Sequence, residues 1–324
     1  MYTPEQLLDK INAHLSSLDY SHHPTGLYDP IEYALSLGGK RLRPMLMLMA
    51  YNLYRDDVDS ILNQAVGLEI YHNFTLLHDD LMDKADLRRG KPVVHKVWNE
   101  NAAILSGDTM MMLSYKYVAE GLKPEHRSAF DLFGRTAIEV CEGQQLDMEF
   151  EQREDVTVDE YIDMIRLKTS VLLACGLKMG ALLADAPASD ADALYKYGVN
   201  LGLAFQLKDD LLDVYGDTSV FGKKIGGDIL CNKKTYMLIR AAELESPEQK
   251  AELVKWIEAV NPDPEKKIEA VVSIYNKVGI REECERQIDS FSHLAEESLA
   301  AVSVPEESKV ALRAMLDKLK KRNS

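Results

Sequence analysis

The sequence predicts an all-α fold. Nearly every segment long enough to judge repeats its apolar residues at the helical period, and no run of five or more positions alternates between β-branched and polar residues. Composition agrees, since 324 residues that are 46% hydrophobic and 28% charged can build a large core with a charged exterior. The length allows two domains, but no stretch is Pro- or Ser-rich enough to serve as a linker, so residues 1–324 are read as a single domain, a bundle of long helices.

Taken in order, the first helix spans 3–18 and opens with Thr3-Pro4-Glu5, an N-cap followed by proline at the first helical position. Pro24, Gly26 and Pro30 then break the chain before a short helix that ends at Gly38-Gly39. Lys40-Arg41-Leu42-Arg43-Pro44 starts the next helix, whose apolar run over 45–54 is hydrophobic almost all round and is therefore expected to be buried. Further helices follow over 58–83, 102–120, 124–153, 158–184 and 189–215. After Gly216 comes a loop, 217–232, rich in Gly and Lys. The last helices, near 233–244, 247–260, 264–278, 281–302 and 305–322, are amphipathic and highly charged, the pattern of outer packing rather than of a site.

A formal net charge of −15 argues against nucleic-acid partners and against docking on anionic lipid. It also repels an anionic substrate, which must then be met by metals and by clustered Lys and Arg. Cys141, Cys175, Cys231 and Cys284 are scattered with no C-x-x-C pair, as expected of reduced thiols in a cytoplasmic protein. The N-terminus lacks the basic start and apolar run of a signal peptide. No segment approaches the ~18 uninterrupted apolar residues of a membrane span, so stable membrane insertion is not expected.

The stretch 72–83 is an apolar helix that ends in Asp79-Asp80-Leu81-Met82-Asp83, with Arg88-Arg89-Gly90 just beyond. If the helix continues through Asp83, the Asp79 and Asp83 carboxylates lie on one face about 6 Å apart. Magnesium is a hard cation that keeps much of its hydration, so one or two carboxylates suffice when substrate phosphates and water complete its shell. The pattern recurs. L-x-D-D-L-x-D is found at 77–83 and again at 207–213, where it brings Asp209, Asp210 and Asp213. Aspartate is 27 of the 324 residues, so chance alone supplies about 0.2 copies of D-D-x-x-D. The expected arrangement is two acidic helix ends across a cavity, with several magnesium ions between them around one diphosphate.

Gly38-Gly39-Lys40-Arg41-Leu42-Arg43-Pro44, the two acid clusters, Arg88-Arg89-Gly90 and Phe221-Gly222-Lys223 together resemble the trans-isoprenyl diphosphate synthases, which make farnesyl, geranylgeranyl and longer polyprenyl diphosphates. The resemblance runs through most of the chain in the right order, and only the C-terminal helices lack distinctive motifs. It implies an isoprenoid-synthase bundle around a central cavity, a homodimer packed through long helices, and a 1'-4 condensation of an allylic diphosphate (dimethylallyl, geranyl or farnesyl) with isopentenyl diphosphate.

By that resemblance Asp79 and Asp83 ligate two magnesium ions and Asp209 a third, with Asp80, Asp210 and Asp213 supporting them directly or through water. Arg88 meets the allylic diphosphate, while Lys40, Arg41, His72 and Arg89 bind isopentenyl diphosphate. Lys168, Thr169 and Gln206 surround the nascent cation, and Lys223 and Lys233 close over the allylic diphosphate. The stretch Gly143-Gln144-Gln145-Leu146-Asp147 matches the family's G-Q-x-x-D and is read as helix packing with supporting polar contacts. Phe74, the fifth residue before Asp79, is the expected floor of the product cavity and points to a twenty-carbon product ahead of a fifteen-carbon one. A terpene cyclase or head-to-head synthase shares the acid clusters, but needs no second diphosphate site such as Lys40-Arg41 and Arg89. A non-catalytic subunit would be expected to have lost one acid cluster, and both are intact.

Overall fold

The computed structural model describes residues 1–216, 225–244 and 246–321. Its helices are α1 (Pro4–Ser17), α2 (Thr25–Ser36), α3 (Leu42–Asn52), α4 (Leu62–Met82), α5 (Val94–Val97), α6 (Glu100–Ala119), α7 (Arg127–Gln152), α8 (Val158–Ile165), α9 (Val171–Leu183) and α10 (Ala188–Tyr215), followed by α11 (Gly227–Leu230), α12 (Tyr236–Leu244), α13 (Pro247–Ile257), α14 (Pro264–Val278), α15 (Ile280–Ala300) and α16 (Glu306–Lys320). Two compact units are distinguishable: residues 1–133 with 176–192, and residues 134–175 with 193–324. Each boundary falls inside a helix rather than in a linker.

In the first unit α1 begins as its sequence requires. Thr3 accepts the Gln6 amide while the Gln6 side chain accepts the Thr3 amide, and Pro4 holds the first helical position. Helix α2 starts earlier than expected and runs through Pro30. The proline forfeits the one hydrogen bond its nitrogen would make to Gly26, but its ring joins Ile31, Ala34 and Leu35 on the buried face, and that burial outweighs the loss. Helices α3 and α4 are buried on most sides, as apolar residues all round dictate. Helix α4 packs along α6 and is the central rod of this unit.

A second departure follows α4. Leu87–Arg88 and Lys91–Pro92 pair as a two-residue antiparallel hairpin, β1 and β2, with Arg88 opposite Lys91. Arg89 and Gly90 make its turn, both with positive φ, the geometry of a tight two-residue hairpin connection. Strands this short carry no alternation for a sequence pattern to register.

The second unit is built around the later turns of α10, where Leu194, Tyr197, Leu201, Ala204, Leu207 and Leu211 are buried, and around the apolar stripes of α15 and α16. Tyr197 ties two of these layers by donating to the Leu312 carbonyl at 2.7 Å. The expected continuous helix over 158–184 is broken. Between α8 and α9, Arg166–Ser170 forms a wide π turn. Such turns insert one residue per turn and occur mainly where a side chain must be re-aimed, and this one contains Lys168 and Thr169.

Candidate active site

Helix α4 ends as the acid pattern requires. The Asp83 amide still bonds to the Asp79 carbonyl at 2.9 Å, so the two carboxylates keep their one-turn spacing although the helix proper stops at Met82. Lys84 then turns left-handed at φ 51°, and its amide and that of Ala85 close on the Leu81 and Asp80 carbonyls. Asp79 is partly exposed and Asp83 exposed. Asp80 points inward instead. Arg88 Nε and Nη2 grip it at 3.0 and 2.6 Å, with Asp79 3.8 Å from the same guanidinium. Burial pushes the Asp80 carboxyl above its ordinary range even against that pull.

The hairpin brings the two basic motifs together. Arg89 Nη1 donates to the Gly38 carbonyl, and the guanidinium rests over Gly39, whose φ of 137° is the backbone conformation that favours glycine. Arg43 Nη1 lies 3.0 Å from His72 Nε2. Burial and the surrounding guanidiniums of Arg43, Arg89, Arg88 and Arg41 hold the His72 imidazole well below its usual pKa, so it is neutral at neutral pH, accepts from Arg43 at Nε2 and carries its proton on Nδ1. Burial likewise lowers Arg43 to about 10, partly offset by Glu69. Lys40 is exposed on the turn that precedes α3.

Arg41, close enough to act on His72 and Arg89, has its own guanidinium turned into the core. It is 6% exposed, and its Nη1 and Nη2 donate to Glu69 Oε1 and to the Leu35 carbonyl, both at 2.8 Å. Arg41 has left-handed backbone and immediately precedes α3, whereas Arg43 sits on the helix, so the two side chains leave in different directions. Arg41 is thus engaged with Glu69 in the core, while Arg43 stands beside His72. Asn73 also donates to Glu69 Oε1, at 3.0 Å.

The second acid cluster lies in the last turns of α10. Asp209 and Asp213 are partly exposed and Asp210 is buried. Tyr161 donates to Asp210 Oδ2 and Gln206 Nε2 to Asp210 Oδ1 at 3.1 Å, which turns the Gln206 carbonyl toward Thr169 Oγ1 at 3.2 Å. Burial raises the Asp210 carboxyl to about 7, helped by Asp228 and opposed by Lys233 and the two hydrogen bonds. Asp213 Oδ2 accepts the Asp228 amide at 3.0 Å and so pins the start of the segment that carries Lys233. Lys168 Nζ meets Asp147 at 2.5 Å. The middle aspartates of both clusters are thus committed to protein partners, which the repeated motif alone does not reveal. Lys223, with Phe221, Gly222 and Lys224, lies outside the described residues.

Among the described residues no three His, Cys, Asp or Glu side chains converge as a closed metal site. The carboxylate pair on α4 is all-oxygen and leaves the remaining positions to phosphate and water, which fits magnesium and not zinc.

Residues 24–275 match the polyprenyl synthetase family. The chain belongs to that family, the trans-isoprenyl diphosphate synthases. It is 38% identical to the short-chain isoprenyl diphosphate synthase of Methanocaldococcus jannaschii over 273 residues, 84% of this chain and 82% of the relative. A crystal structure of a geranylgeranyl pyrophosphate synthase superposes with a TM-score of 0.94 at 42% identity, over the whole of both chains. The geranylgeranyl pyrophosphate synthase of Corynebacterium glutamicum, solved with isoprenyl diphosphate and magnesium, gives 0.86 at 29% identity over 98% of each chain. The synthase is all-α in the same sense as these relatives, and no helix among its described residues is long and apolar enough to cross a membrane.

Proposed function

We propose that the synthase condenses an allylic diphosphate with isopentenyl diphosphate, 1'-4 and head to tail, and releases geranylgeranyl diphosphate. The observation that supports this reading is the gathering of Arg43, His72 and Arg89 in the same unit as the Asp79–Asp83 pair, cations suited to one diphosphate together with carboxylates suited to the metals of another. A cyclase has no use for the first, and a dead subunit no use for the second. Lys40, Arg43, His72 and Arg89 hold isopentenyl diphosphate; Arg88, Lys168, Lys223 and Lys233 hold the allylic diphosphate. Asp79 and Asp83 are the ligands for two magnesium ions and Asp209 for a third, with Asp80, Asp210 and Asp213 orienting their neighbours. Magnesium, when bound, neutralises the charge that builds on the departing diphosphate.

The allylic C1'–O bond breaks with its electron pair on the diphosphate, the C3=C4 π electrons of isopentenyl diphosphate bond C4 to C1', and C2 gives its proton to the departing diphosphate as the C2=C3 double bond forms. The Thr169 hydroxyl and the Gln206 carbonyl face the cation as dipoles too weakly nucleophilic to capture it. Pyrophosphate release tests the reading: with magnesium it should require both substrates. Release from allylic diphosphate alone would favour a cyclase, and none at all a regulatory subunit.

Product length rests on Phe74. Its buried ring stands edge-on to Tyr71 at 5.4 Å, and Tyr71 in turn to Phe133 at 5.5 Å, so the floor is the top of an aromatic column. Phe74→Ala exchanges the ring for a methyl and leaves Tyr71 beneath. With farnesyl diphosphate and excess isopentenyl diphosphate the variant should make a product one five-carbon unit longer than wild type by mass. An unchanged distribution from a folded, active variant would place the floor elsewhere.

The homodimer is supported by α6, which exposes Ile104, Leu105 and Met112 at 43%, 59% and 61%. Light scattering should give twice the chain mass for wild type and a single chain for Leu105→Asp/Met112→Asp. A wild-type monomer would refute the assembly.

A further inference from the structure

Asp147 has no part in the metal or diphosphate roles above, yet it meets one of the lysines and lies within electrostatic reach of another. Lys168 reaches it from the π turn at 2.5 Å, with the two side chains 25% and 18% exposed. Burial alone would push the Asp147 carboxyl up, but the ammoniums of Lys233 and Lys168 carry it below its ordinary range. The two lysines arrive from different segments, and both are aimed by backbone. Gly143 lies one turn before Asp147 on the same face of α7, and a Cβ there would stand 2.3 Å from the Lys168 amide nitrogen, so glycine lets α7 lie directly against the π turn. On the other side the Lys233 amide bonds to the Asp228 carbonyl at 2.9 Å. Its neighbour Asn232 is held by the buried Lys267 ammonium at 2.6 Å and donates to the Ile257 carbonyl at 2.9 Å.

We propose that Asp147 is the positioning residue for the Lys168 ammonium, holding it beside a fixed carboxylate so that the allylic diphosphate meets a pre-aimed cation. This rests on the prenyltransferase reading above. An ammonium on a flexible stem loses rotamer freedom when an anion orders it, and a fixed carboxylate meets that cost before the substrate arrives. Asp147 does this without touching substrate or metal, so its loss should slow the chemical step and spare the isopentenyl diphosphate site.

The test is steady-state kinetics on the full-length protein with magnesium, comparing wild type, Asp147→Asn, Lys168→Met and the double variant. Asp147→Asn should lower kcat about 30-fold, with KM for isopentenyl diphosphate and the half-saturating magnesium concentration within about twofold of wild type. The double variant should be no slower than Lys168→Met by more than about threefold, because a carboxylate with no lysine to aim adds little. Four results would overturn the proposal: kcat of Asp147→Asn within about threefold of wild type; losses that multiply in the double variant; a tenfold rise in the magnesium requirement, which would make Asp147 a ligand; or loss of the helical circular dichroism of Asp147→Asn, which would make it a folding element. A wild-type protein that releases no pyrophosphate would instead sink the prenyltransferase reading itself.

Discussion

Asp79→Ala and Asp83→Ala are expected to lower kcat/KM by at least about 10³-fold while leaving the protein folded. Both carboxylates are in contact with solvent at the end of α4, and neither is buried in the core. Removing one relieves repulsion in the metal-free protein, so the thermal midpoint should hold or rise. The reaction is different, because the leaving diphosphate develops charge that protein cations alone meet only in part. A metal contribution of several kcal/mol to the transition state corresponds to a factor of roughly 10³ or more. The measurement is pyrophosphate release against magnesium concentration with both substrates saturating. Activity within about tenfold of wild type in either variant would remove that aspartate from the metal site.

The two arginines of the G-G-K-R-L-R stretch should fail in opposite ways. Arg41→Ala leaves Glu69, 2% exposed, without its cation in the core, and breaking a buried pair on one side costs roughly 3–5 kcal/mol. Its urea midpoint should drop sharply, and whatever protein remains folded should bind isopentenyl diphosphate nearly as wild type does. Arg43→Ala removes a guanidinium that stands beside His72, and losing one partner of a close charge pair with the substrate is worth about 100-fold in KM for isopentenyl diphosphate. Allylic affinity, titrated calorimetrically with a nonreactive thio-analogue and magnesium, should stay near wild type. A stable Arg41→Ala with lost isopentenyl diphosphate binding would restore Arg41 to the site.

Most helices are legible in the sequence because their signals are local. Thr3-Pro4-Glu5-Gln6 carries a complete capping box, the apolar run over 45–54 can only be buried, and 264–278 is bounded by Asp263 and Gly279, the residue types that cap those ends. The α2 start was obscured by Pro30, whose cost is offset by burial that no local pattern records. The hairpin at 87–92 escaped because two-residue strands have no period. The π turn escaped for a related reason: α8, the turn and α9 share one apolar pattern, and the extra residue is accommodated by packing against Gly143 on another helix.

At the site, residue identity and spacing by themselves determined which charges each stretch carries: two carboxylates one turn apart, repeated, with clustered arginine and lysine before and between them, the pattern on which a magnesium–diphosphate reading rests. Which partner each member of a cluster meets was decided only by tertiary structure. Asp80 and Asp210 are turned inward to Arg88 and to Tyr161 with Gln206, Arg41 is spent on Glu69 while Arg43 reaches His72, and Asp147 holds Lys168. The physical reason is that a motif specifies the charge a stretch of chain carries, whereas the direction in which each charge points depends on which partners, remote in sequence, the fold brings within hydrogen-bond reach.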